Sequence, residues 1–194
     1  MLRLGATWDR RDDKLNPTSG TYLRAEALPY YGLSGAASGA RGYLDARAYR
    51  SVGGGDKVTL AGRFQLGTII GSDIGDTPPD LLFLSGGSGT VRGHSYQSLT
   101  VTTGGVETGG RSFLGFSGEA RVKINDKFGV VGFYDIGYIG ENSTVDSTGG
   151  WHSGAGLGLR YQTGIGPIRL DVAVPVTGSS SNSFEAYVGI GQSF

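Results

Sequence analysis

Residues 112–124 read Ser112-Phe113-Leu114-Gly115-Phe116-Ser117-Gly118-Glu119-Ala120-Arg121-Val122-Lys123-Ile124. Leu114, Phe116, Ala120, Val122 and Ile124 alternate with Ser117, Glu119, Arg121 and Lys123. A period of two describes a strand with one apolar and one polar face. The same alternation recurs on both sides of this stretch. Leu23, Ala25 and Ala27 oppose Arg24 and Glu26. Leu44, Ala46 and Ala48 oppose Arg41, Asp45 and Arg47. Ile168, Leu170, Val172 and Val174 oppose Arg169 and Asp171. Sustained helical spacing is absent. The pattern predicts nine strands, at about residues 2–9, 21–28, 41–50, 57–69, 112–124, 129–138, 152–162, 168–175 and 184–194.

Connections of two kinds alternate between these strands. Tight turns are expected after strands one, three, five and seven, at Asn16–Gly20, Gly53–Asp56, Asn125–Lys127 and Thr163–Gly166. Longer loops are expected at Gly32–Gly39, Gly71–Gly110, up to Gly150, and at Thr177–Asn182. Short turns on one side and long loops on the other are the habit of an up-and-down membrane barrel, and they put Phe194 on the periplasmic side. Strands of ~10 residues suit a membrane crossing, which needs ~9–11. Trp8, Tyr30, Tyr31, Tyr49, Tyr138 and Tyr161 near strand ends read as interfacial girdles. The fold class is therefore all-β: an antiparallel up-and-down transmembrane β-barrel portion with a long, lumen-directed loop at residues 71–110. The competing reading, a soluble sandwich with one wet face, accounts poorly for strand length and loop alternation.

Composition excludes several function classes. Hydrophobic residues make up 38% and charged residues 18% of the chain, both below the soluble norm. A fold with a wet, polar inside and an apolar outside explains that shortage. Glycine is abundant, at 37 of 194 residues, against ~7% in an average chain. Seventeen basic and seventeen acidic residues cancel, which argues against a phosphate-neutralising nucleic-acid binder. No cysteine is present, so thiolate metal sites and disulfides are excluded. His94 and His152 lack metal-ligand spacing, and no nucleophile, base and acid are placed as a triad. No enzyme activity, metal or cofactor is expected.

Three stretches resemble the TamA/BamA superfamily of outer-membrane assembly factors, the bacterial surface antigen domain. Gly86 to His94, with Val91-Arg92-Gly93-His94 at its end, is similar to the family's Val-Arg-Gly-aromatic loop motif; His94 stands where Phe or Tyr is usual. Phe133-Tyr134-Asp135-Ile136-Gly137 is similar to its Phe-x-Asp-x-Gly strand. Gly156 to Tyr161, Gly166 to Pro175 and Tyr187 to Phe194 look more like the TamA branch than the BamA branch. The family has a sixteen-stranded barrel preceded by POTRA domains. The resemblance thus implies a single C-terminal barrel domain over residues 1–194, without POTRA domains and with too few strands for the full barrel. Strands two to nine closing as eight, or a sheet left open, are both consistent with that number.

The resemblance also implies function and site. It implies insertion or translocation of other outer-membrane proteins, of the autotransporter type, by templating strands on an edge. The setting would be the outer-membrane bilayer of a Gram-negative-type bacterium, with a TamB-like periplasm-spanning partner. A passive or degenerate barrel without insertase activity is the alternative. Register alone puts Glu119 and Asp135 inside on adjacent strands; the resemblance adds Arg92 on the loop that reaches them, with Phe133 as lumen packing. Alternation puts Val188, Ile190, Gln192 and Phe194 on one face of the last strand. The resemblance makes that strand a C-terminal signal and seam, kinked at a glycine such as Gly191.

Overall fold

The computed structural model describes residues 2–32, 37–54, 57–178 and 183–194. Parts of three expected connections, at residues 33–36, 55–56 and 179–182, lie outside them. Nine strands form one antiparallel sheet in chain order: β1 (Leu4–Asp9), β2 (Gly20–Tyr30), β3 (Gly39–Val52), β4 (Val58–Ile70), β7 (Ser112–Lys123), β8 (Phe128–Gly140), β9 (Gly150–Thr163), β10 (Gly166–Thr177) and β11 (Glu185–Ile190). The intervening β5 (Val101–Thr103) and β6 (Val106–Thr108) make a separate ribbon inside the long loop. The only helical piece among the described residues is a 3-10 turn at Pro79–Leu81. The seven central strands run 11 to 14 residues, enough to cross a bilayer.

The sheet stays open. Among the described residues the outer edge of β1 has no strand partner, and neither has the outer edge of β11. Closure of eight strands on themselves is therefore not what the chain adopts. The register carries the alternation across the whole wall. Phe64, Phe116 and Ile136 align on one row, and Leu157, Val172 and Ala186 on another. Phe116, Leu170, Val172 and Val174 are exposed on the outer face, whereas Glu119, Arg121 and Asp171 are buried.

The concave side holds three layers. Leu28, Tyr30, Ile69, Leu81, Leu82, Phe83, Val101, Phe113 and Ile139 cluster beneath the long loop. Val131, Phe133 and Ala173 pack at mid-height, and Tyr49, Ala61 and Phe194 pack at the end opposite the long loop. Leu81, Leu82 and Phe83 are thus covered by the sheet, which removes the apolar run from water.

Three expectations need correction. The first connection is no tight turn: it spans residues 10–19 and folds across the end of the concave side opposite the long loop. Asp12 organises it, accepting from the Thr18 hydroxyl at 2.5 Å and from the Thr18 and Ser19 amides at 3.0 and 3.2 Å. Tyr30, Tyr49 and Tyr138 are no girdle residues; they are buried at 6, 5 and 0% exposure, while Trp8, Tyr31 and Tyr161 are exposed. Strand parity turns Tyr30 and Tyr49 inward, and position near a strand end does not override parity. Tyr138 shares the outer register of Ile136 and is covered by the loop after β8, its hydroxyl donating to the Asp146 carbonyl oxygen at 3.1 Å and accepting from the Asp146 amide at 3.0 Å. The last strand ends at Ile190, and residues 188, 190, 192 and 194 do not share a face. Gly191 has φ +85°, a left-handed value that glycine adopts freely. It turns the chain so that Val188 and Ile190 point out while Phe194 lies buried inside.

Candidate functional site: the arginine-clamped lumen loop

The loop enters the lumen because the wall leaves room for it. Gly154, Gly156 and Gly158 fall on the inward register of β9, opposite Asp135, Phe133 and Val131. A Cβ at Gly154 would sit 1.8 Å from the Arg92 carbonyl oxygen, and one at Gly156 would sit 2.3 Å from the Phe133 ring. Side chains at these positions would push the loop out. Gly93 supplies the bend on the loop side: φ is +95°, and a Cβ there would meet the Val174 oxygen at 2.5 Å. Its amide donates to the Tyr187 hydroxyl at 3.0 Å.

Arg92, 1% exposed, lies between two acids. Its Nε and Nη2 donate to Asp135 Oδ2 and Oδ1 at 2.7 and 2.9 Å, a fork-on-carboxylate pair. Its own amide also donates to Asp135 Oδ2, at 3.1 Å. Nη1 donates to Glu119 Oε1 at 2.6 Å. The guanidinium carbon stacks 3.5 Å from the Phe133 ring centroid. The two acids come from β7 and β8, and Phe133 lies beside Asp135 on the inward register. Four hydrogen bonds donated by one residue hold a loop to two adjacent strands, and the geometry is one an ammonium cannot copy.

The motif's other members are also buried. Val91 is 1% exposed and sits over Gly137. His94 is wholly buried, its Nε2 in hydrogen-bonding contact with the Ser153 carbonyl oxygen at 3.1 Å. The structure brings the two histidines together edge to face, with centroids 5.8 Å apart. A flat ring therefore fills the place where the resembling family has Phe or Tyr. Among the described residues no group of three or more His, Cys, Asp or Glu side chains is placed to hold a metal ion.

Sequence reasoning missed the extension of this cluster. Asp171 of β10 is buried, with Oδ2 3.6 Å from Arg92 Nη1 and Oδ1 2.5 Å from Arg160 Nη1. Arg160 Nε donates to Gln192 Oε1 at 2.7 Å, and Gln192 Nε2 donates to Asn16 Oδ1 at 2.8 Å. On the other side Glu119 accepts from Arg121 Nε at 2.8 Å. Arg121 in turn donates to the main-chain oxygens of Pro17 and Phe194 at 3.2 and 3.0 Å. Two polar chains thus run from Arg92 to the same place, where the tail after Gly191 meets the first connection. The available signal was register: Arg121, Arg160 and Asp171 lie on inward positions of their strands.

Of the last-strand candidates, Gln192 and Phe194 belong to this network and Val188 and Ile190 do not. The latter stand at 76 and 58% exposure on the outer face.

The whole chain, residues 1–194, matches the Omp85 superfamily domain. Among solved structures it is similar to "BamA from Haemophilus ducreyi lacking POTRA domains 1-3", with a TM-score of 0.75 and 18% sequence identity over 96% of this chain. The chain spans 40% of the length of that protein. At such identity the likeness is one of fold. Sequence family and fold agree, and the chain belongs to the Omp85 superfamily.

Proposed function

We propose that this chain forms part of the barrel wall of an outer-membrane protein that assembles or translocates other outer-membrane proteins. The observation that carries the proposal is the pairing of a clamped loop with a free edge. Arg92 fixes the loop to β7 and β8, and the polar chains described above join the clamp to the tail of β11. Among the described residues the outer edge of β11 has no strand partner, and such an edge is a template for strand addition. Rigidity at β7–β10 and an open edge at β11 are what a strand-by-strand insertion device needs. No bond of the client changes, so the role is non-enzymatic. The setting is the outer membrane of a Gram-negative-type bacterium, with the bilayer on the outer face and client barrels at the edge.

Autotransporter-type clients and a TamB-like periplasmic partner are the finer reading. They are supported by the TamA-like run from Gly156 to Phe194. POTRA domains and the other barrel strands would lie outside these 194 residues. A passive pore fits less well, because the loop and its charged cluster occupy the lumen.

Photo-crosslinking residues placed at Val188 and Ala186 test the edge. During synthesis of a client barrel, both should capture client strands, while the same group at Phe116 in mid-wall should not. Capture at mid-wall equal to that at β11 would overturn the proposal.

A further inference from the structure

We propose that the outer wall carries a binding site for one anionic phospholipid, with an acyl chain in a groove across β2–β8 and the headgroup on Arg10 and Arg50. The inference rests on the outer face being the lipid-facing one. That face is unevenly covered. The register aligns Thr21, Ala48, Gly62 and Gly118 in one row, with Tyr134 at its end. Four small residues side by side leave a low floor: a Cβ at Gly62 or Gly118 would meet nothing within 4 Å. Larger residues wall this floor, with Trp8 and Leu23 on one flank and Tyr134 and Ile136 on the other. The Phe64 and Phe116 rings, 5.1 Å apart, stand toward the loop end. The groove holds about 1030 Å³, the scale of sites that enclose whole small ligands. An apolar trough on a membrane wall is filled by a chain, since an empty one forfeits dispersion contacts.

The periplasmic rim supplies the charge. Arg10 follows Trp8 by two residues on the same face. Its guanidinium lies 4.6 Å from the Trp8 ring centroid, and its amide donates to the Thr21 oxygen at 2.8 Å. Arg50 follows Ala48 by two and pairs with Leu60 in the register. Both are exposed, and among the described residues neither forms an ion pair. This contrasts with the inward arginines Arg47, Arg63, Arg92, Arg121 and Arg160, each of which meets a carboxylate. Two unneutralised cations beside an interfacial tryptophan, at the mouth of an acyl-sized groove, complement an anionic headgroup.

The test uses Trp8 as the reporter, in the full 194-residue chain with Trp151→Phe, since Trp8 and Trp151 are the only tryptophans. The protein is reconstituted in phosphatidylcholine vesicles containing a minor fraction of acyl-brominated phosphatidylglycerol or of acyl-brominated phosphatidylcholine. Brominated phosphatidylglycerol should quench Trp8 well beyond its mole fraction, and brominated phosphatidylcholine should quench it only in proportion. Each of Arg10→Gln and Arg50→Gln should cut the apparent preference about fivefold, the factor for one basic group at a membrane surface. Arg50→Lys should keep most of it. Gly62→Leu should fill the floor and reduce quenching by the anionic lipid while the arginines remain. Equal quenching by the two lipids in the parent, or a preference unchanged by the arginine substitutions, would overturn the site. Absence of quenching by either lipid would instead overturn the lipid-facing reading beneath it.

Discussion

At the residue scale the molecule turns on a guanidinium that bridges two strands from a loop. Removing one partner of a buried ion pair leaves the other charge without compensation, at a cost of about 3–5 kcal/mol. Arg92→Ala leaves Asp135 without its charged partner while Glu119 keeps Arg121, so a loss within that range is expected in urea titration of the detergent-solubilised protein. Arg92→Lys should recover less than half, because one ammonium cannot serve both carboxylates and also stack on Phe133. Equal stability of the alanine and parent proteins would contradict this. A second residue with a stated task is Asp12 in the first connection. Burial pushes its carboxyl up, but the Thr18 hydroxyl and the Ser19, Thr18 and Asp13 amides outweigh that and hold it at about 2. A depressed pKa means the turn's contribution is complete above the ordinary value of 3.8 and is lost as pH falls through about 2. The Thr18 and Ser19 amide resonances should titrate near 2. A midpoint near 3.8 would show that Asp12 does not hold the turn.

At the element scale, glycines on β9 decide whether the loop can be seated. Gly154→Leu should leave the β9 ladder intact, because its backbone pairs with Asp135 and Pro175 on either side. It should nevertheless displace Val91–His94, since the new Cβ falls on the Arg92 carbonyl. Circular dichroism should show nearly unchanged strand content, and the loop should become sensitive to protease. Loss of the strand signal along with the loop would mean that the glycine serves the sheet instead. The element scale also shows where sequence legibility ends. Alternation in residues 112–124 and 168–175 sets the faces of β7 and β10, because one slip would invert every side chain. The inward placement of Glu119 and Asp135 follows from that arithmetic. The end of β11 does not follow, because a single left-handed glycine breaks a period that Gln192 and Phe194 otherwise continue. The inward course of residues 10–19 is hidden for a similar reason. It depends on Arg121, Ser51 and Gln192, which are distant in sequence. β5 and β6 were illegible because three-residue strands are too short to display a period.

At the scale of the whole molecule the wall is apolar outside and charged within, and among the described residues neither outer sheet edge has a strand partner. Single cysteines at Phe116 and Val172 should react with a lipid-soluble maleimide and resist a water-soluble one in proteoliposomes. Water-side labelling at either position would reverse the assignment of faces. The central claim is that the lumen loop is locked by Arg92 between Glu119 and Asp135, and Arg92 offers its own assay, since trypsin cleaves after arginine. In the parent protein the bond between Arg92 and Gly93 should survive prolonged trypsin treatment, while exposed sites such as Arg10 and Lys14 are cut. In the Glu119→Gln/Asp135→Asn protein the released loop should be cleaved after Arg92, and mass spectrometry should detect a fragment ending at Arg92 and another beginning at Gly93. Cleavage after Arg92 at the same rate in both proteins would contradict the account.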